Sequence, residues 1–246
     1  DPLYAPQSKE DSDIFNRFQL NGYKFVQTWE GFVYHMTCRG SRFADGAKRN
    51  PNGEVFMKNR ETDEWLQQNQ RSTRNFLRKW GHFVKHDSYL KPVVPPKYDI
   101  GIIVYNCTYQ LLSELEPWCS TVYIKPSPGG EVIADRDLSN INDSETISNH
   151  RQLRAQQMMH KYISEEQENT DFDLTKRVRV DENYQNDILV KFDTRTIEQK
   201  DIEMIGKLSE ILANSEIEPG EFDLGKLEIT VNKVKTYEED LIVCKS

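Results

Sequence analysis

Residues 10–20, EDSDIFNRFQL, place Ile14, Phe15 and Phe18 at the three-to-four spacing of one helical face. Ser8 stands where an N-cap is expected, with Asp11 three residues on in a variant of the capping box. Asn21-Gly22 then offers a left-handed residue to end the helix. Beyond that turn the pattern changes. YKFVQTW (23–29) and FVYHM (32–36) are rich in aromatic and β-branched residues and predict two short strands. Residues 38–60, rich in Gly, Asn, Arg and Lys, predict a long loop, a length uncommon without a functional role. From Thr62 to about Val84 a long helix is expected, buried through Trp65, Leu66, Phe76, Leu77, Trp80 and Phe83. The prolines of KPVVPPKYD cannot continue it, so residues 91–97 form an extended linker.

The second part has a different grammar. DIGIIVYN is the apolar run of a buried strand, YQLLSELEPW a short helix, and STVYIK a second strand. That β-α-β order predicts a parallel pair. After a polar loop beginning SPGGE, residues 149–168 read as helix and DILVKFD as strand. IEQKDIEMIGKLSEILANSE reads as one amphipathic helix, then KLEITVNKV and DLIVCK as two final strands. The expected fold class is therefore mixed α/β (α+β). A helix-strand-strand region with a long helix covers 1–90, a Pro-rich linker 91–97, and a separate small, acidic α/β domain 98–246.

Charge sharpens this division. Of the 246 residues, the first 97 carry 16 basic against 11 acidic side chains (+5), the remainder 16 against 29 (−13). The acidic part lacks the cations that neutralise phosphates, so nucleic acid is not an expected partner, whereas a protein partner is. No apolar run reaches the ~20 residues of a membrane span, and a cytoplasmic setting, or a virion, is expected. Cys38, Cys107, Cys119 and Cys244 have no zinc-type spacing, and His82 with His86 lacks an acidic third ligand.

Glu10, Asp11 and Asp13 crowd the first turn of the first helix, where carboxylates gain about 0.3–1 kcal/mol from the helix dipole. Their context adds a chemical reading. The stretch SKEDSDIFNRFQLNGYKFVQTWEGFVYHMTCRGSRF, residues 8–43, resembles the C-terminal half of a GT-A glycosyltransferase domain of the family-2 type. The resemblance implies transfer of a sugar from a nucleotide-sugar donor to an acceptor hydroxyl. It makes Asp11 the candidate base, Asp13 the runner-up and Glu10 an acceptor contact. It further implies that His35 completes a divalent-metal site (Mn2+ or Mg2+) and that Arg39 and Arg42 meet the donor diphosphate. The donor-binding half, with its Asp-x-Asp motif, has no counterpart before residue 8; DRD at 135–137 lies downstream in an acidic loop. Two expectations stand side by side: the acceptor-side part of a longer transferase, or a non-catalytic binding or assembly module that keeps this scaffold.

Overall fold

The computed structural model describes residues 1–5, 8–31, 63–126 and 144–242. Its centre is a six-stranded mixed sheet of order β3-β2-β1-β4-β6-β5. β1 (Ile100–Tyr105) lies in the middle, parallel to β2 (Thr121–Lys125) on one side and to β4 (Ile188–Asp193) on the other. The short β3 (Val178–Arg179) adds parallel to β2. β5 (Gly220–Leu224) and β6 (Leu227–Val231) form an antiparallel hairpin joined to β4 through β6. β2 is buried at every position and β1 at all but the last, which explains their unbroken apolar sequence. β4 alternates buried and half-buried residues, and its sequence alternates accordingly.

The mixed α/β class is thus the observed one. The β-α-β unit read from the sequence is β1, α3 (Tyr109–Leu115) and β2. Thr108 caps α3 by accepting from the Leu111 amide. Leu112 and Leu115 of α3, Tyr162 of α4 (Ser144–Glu166), and Ile205, Leu208 and Leu212 of α6 (Gln199–Ile205) and α7 (Leu208–Ala213) join the sheet's core. Each fully buried aliphatic side chain there is worth about 1.5–3 kcal/mol.

The single amphipathic helix expected near 197–216 is two. Gly206 and Lys207 separate α6 from α7, and Trp118 packs tightly against Gly206. The last predicted strand is instead the one-turn helix α8 (Glu239–Ile242); residues 243–246 lie outside the described chain. Two further helices are α1 (Glu10–Leu20) and α2 (Asp63–Trp80), and α5 (Leu174–Arg177) is a single turn before β3.

α2 ends earlier than expected because Gly81 turns left-handed, φ +76°, and its amide still bonds Leu77 O at 2.7 Å. Phe76, Leu77 and Trp80 are buried as expected, whereas Leu66 and Phe83 are exposed. With Leu3, Tyr4 and Leu241, Phe76 and Trp80 form a second, smaller core.

The linker at 91–97 is extended and leads into β1, yet the two sides share a buried ion network. Glu116, fully buried on the turn after α3, meets Arg78 of α2 at 2.8 Å and also Arg177 of α5. Tyr162 donates to the same carboxylate at 2.9 Å. Arg74 and Arg78 also reach Glu166 at 2.8 and 2.7 Å.

Candidate functional site

α1 does not begin as its sequence suggests. Ser8 makes no cap; Lys9 holds that position, and both have positive φ, 80° and 77°. Each such non-glycine residue costs about 1–2 kcal/mol, a strain found at ligand clamps and active sites. The other end follows expectation. Gly22 is left-handed, the Tyr23 amide bonds Phe18 O at 3.0 Å, and the two rings meet at 5.2 Å.

After that turn, residues 23–28 carry no regular structure, contrary to the predicted strand. Their side chains are exposed except Phe25, and no strand of the described chain pairs with them. Phe25 turns back onto α1 and meets Phe15 edge-on, 5.9 Å between ring centres.

Opposite α1 stands a tight hairpin-like turn, residues 84–93. His86 bridges Pro92 antiparallel, and Val93 N donates to Lys85 O at 3.0 Å. Asp87 builds the tip: its Oδ1 accepts from the amides of Tyr89 (2.8 Å) and Lys91 (2.9 Å). Leu90 sits there at φ 61° and reaches the groove that the turn forms with α1. Gln27 Nε2 ties this tip to the first segment by donating to Tyr89 O at 2.6 Å.

Between these walls lies a groove of about 350 Å3, reached by Asp11, Phe15 and Asn16 from α1, Phe25, and His86, Tyr89 and Lys91 from the turn. Asp11 and Phe15 share a helix face because they are four residues apart; Asn16, five from Asp11, lies about 140° round the helix, toward the interior. The Asp11 carboxylate is exposed and has no hydrogen-bond or ion-pair partner among the described residues. Asn16 is only 2% exposed, and its Nδ2 has no partner among them either.

Asp13 has a different place. It is fully buried and points to the other side of α1, toward α2. It accepts from Trp80 Nε1 (2.9 Å) and Tyr4 Oη (3.2 Å), and pairs with Lys79 (2.7 Å) and Arg17 (3.0 Å). Burial, then the Asp13 charge, pushes the Tyr4 phenol well above its ordinary value, so it stays a donor. This cluster fastens α1 to α2. Glu10 is exposed on the first turn and does not line the groove. The three carboxylates thus part: Asp11 faces a cavity, Asp13 the core, Glu10 the solvent.

His35, Arg39 and Arg42 lie outside the described residues. Among the described residues no group of three or more His, Cys, Asp or Glu side chains is arranged to hold a metal ion.

Asn16, Tyr89 and Lys91 carry no signal in the sequence, and His86 stands out there only through its spacing from His82. The i+4 spacing from Asp11 is the signal for Phe15; Asn16 has none, and nothing in the chain pairs residues 84–92 with α1 before folding.

A larger cavity of about 550 Å3 is walled by Phe83, Leu115, Trp118, Ile202 and Ile205, with Glu114, Glu203 and Lys207 and the Lys85–Glu210 ion pair also lining it. Elsewhere, burial pushes the thiols of Cys107 and Cys119 up to about 12, which keeps both protonated and unreactive. No helix of the described residues is long and apolar enough to cross a membrane. No known protein family, curated protein or solved structure matches the chain.

Proposed function

We propose that the groove is the acceptor side of a nucleotide-sugar glycosyltransferase and that Asp11 is its base. The observation that carries this reading is an exposed carboxylate, Asp11, without a partner among the described residues, in a cleft walled by Phe15, Phe25 and Tyr89. A sugar hydroxyl donates to such a carboxylate, while the C–H face of the ring covers aromatic surface. In the transfer, the acceptor oxygen attacks the donor's anomeric carbon. The bond to the diphosphate oxygen breaks, the nucleoside diphosphate leaves with its electron pair, and Asp11 takes the hydroxyl proton. The diphosphate and its Mn2+ or Mg2+ are assigned, by the resemblance of residues 8–43 alone, to His35, Arg39 and Arg42.

The test is turnover of nucleotide-sugar donors by this chain, and by any longer polypeptide containing it, against Asp11→Asn. Loss of a proton acceptor lowers transfer about 10^2–10^4-fold.

A second reading is favoured by one observation. Of the 15 large apolar side chains exposed among the described residues, 12 lie between Ile14 and Val93, with Trp29 at 90% and Val26 at 79%. An apolar concentration of this kind marks an interaction surface, as in an assembly module that keeps the transferase-like scaffold. That module would leave donors unturned and dock a protein partner.

A further inference from the structure

β5 is the last strand of the sheet, and no described strand lies beyond it. Residues 220–223 are exposed and Leu224 is half-buried. The register with β6 runs one-to-one over all five positions, from Gly220↔Val231 to Leu224↔Leu227, without a bulge. Gly225-Lys226 closes the hairpin as a two-residue turn. The flanking pair Leu224↔Leu227 of such a turn exchanges hydrogen bonds, and bonded and non-bonded pairs then alternate along the ladder. Gly220, Phe222 and Leu224 therefore turn their backbone groups toward β6, while Glu221 and Asp223 turn theirs outward. Those outward groups meet no hydrogen-bond partner among the described residues. An edge of this kind is a template for one more strand.

Proteins guard an open edge with a bulge, a proline within the strand or a single charge. β5 has neither bulge nor proline, and its charges exceed a guard. As alternate residues, Glu221 and Asp223 project from the same face. Asp223 lies directly opposite Glu228 across the ladder, a like-charge pair that destabilises the hairpin. Lys191 pairs with Glu228 at 2.7 Å, whereas Glu221 and Asp223 have no ion-pair partner among the described residues. From Glu216 to Glu228 the chain carries five acidic side chains against one basic. The strand's other face is apolar: Phe222 lies opposite the buried Ile229 yet is itself 38% exposed. This pattern selects the occupant. A second copy of β5 would set Glu221 and Asp223 against their own kind and be repelled, whereas a basic strand is attracted.

We propose that the β5 edge docks an extended, basic segment of a partner protein, added antiparallel beyond the sixth strand of the sheet. The segment alternates basic and apolar residues. Its basic residues lie opposite Glu221 and Asp223 and exchange main-chain hydrogen bonds with them. The apolar residues between them extend the surface begun by Phe222. The backbone supplies the affinity and the alternate side chains the specificity. So short an attachment is transient and weakens with salt. It uses no residue of the Asp11 groove and stands apart from the transferase reading.

The probe is a fluorescein-labelled Lys-Val-Lys-Val-Lys peptide, titrated with the 246-residue chain and followed by anisotropy. Saturable binding is expected. N-methylation of the lysine amides, which face β5, should weaken it about tenfold at unchanged charge; N-methylation of the valine amides, which face away, should not. These arms leave the protein untouched, so folding does not enter. Glu221→Lys combined with Asp223→Lys should also weaken binding about tenfold, and both side chains are exposed, so the fold tolerates the change. In hydrogen exchange, the peptide should slow the amides of Glu221 and Asp223 and leave those of Phe222 and Leu224, already bonded to β6, unchanged. Equal binding of the lysine-methylated peptide, indifference to the charge reversal, protection only elsewhere, or no saturable binding overturns the proposal. Self-association of the parent chain that protects the same two amides assigns the edge to a second copy and overturns it as well.

Discussion

Glu116→Gln removes one negative charge from the interior and keeps the side chain's shape. The carboxylate is fully buried against Arg78 (2% exposed) and Arg177 (9% exposed), with Tyr162 donating to it. Burial alone would raise its pKa; the Arg177 and Arg78 guanidiniums outweigh burial and hold it at about 2, from an ordinary 4.5. At about 1.4 kcal/mol per pH unit, that drop corresponds to about 3 kcal/mol of stability. Breaking a buried ion pair from one side costs about 3–5 kcal/mol, because the guanidiniums stay behind without their counter-charge. The two routes agree on a loss near 3 kcal/mol. Urea denaturation followed by tryptophan fluorescence reads it directly. The sign with pH follows from the lowered pKa. The contribution is complete above pH 4.5, fades as pH falls from 4.5 toward 2, and is absent from Glu116→Gln. A variant within about 0.5 kcal/mol of the parent, the range of an ordinary surface change, would refute the claim that this network joins α2 to the sheet.

Other expectations follow from the same contacts. Asp13→Asn should cost about 2–3 kcal/mol, since it removes the charge that pairs with Arg17 and, together with Asp1, with Lys79, whereas Asp11→Asn should cost no more than the about 0.3–1 kcal/mol of the helix dipole. Differential scanning calorimetry of the pair separates the anchor from the base. His82 is buried, and burial, opposed by its bond to Phe83 O and aided by Lys97 and Lys85, holds its pKa down at about 4. The unfolded chain binds that proton first, so stability should fall by about 3 kcal/mol between pH 6.5 and 4, a slope His82→Phe removes. Leu90→Gly should relieve the positive φ and stabilise the fold by up to about 1 kcal/mol in a urea melt, while loosening saccharide binding at the hairpin tip.

What the sequence disclosed was what depends on neighbours along the chain. The apolar runs of β1 and β2, the short helix between them, and the Asn21-Gly22 stop are local signals and lie where they were read. The strand at 23–28 failed because β-rich composition needs a neighbouring ladder, and the described chain supplies none. The terminal strand failed for a related reason: Asp240–Ile242 is too short a run to resist capping as a helical turn. The first-turn carboxylates were found as a group, but composition could not divide them. Only the packing of α1 on Tyr4, Lys79 and Trp80 assigns Asp13 to the interior and leaves Asp11 to the groove. The other wall, Tyr89 to Lys91, is some 75 residues away along the chain, and no periodicity reports such a meeting.

The carboxylate of Asp11 is tested most directly by the rate at which nucleoside diphosphate is released in the presence of an acceptor sugar, parent against Asp11→Asn, with both proteins shown to be folded. A fall of at least about a hundredfold in the folded variant is the predicted result. Release at the parent's rate by the folded variant would contradict it.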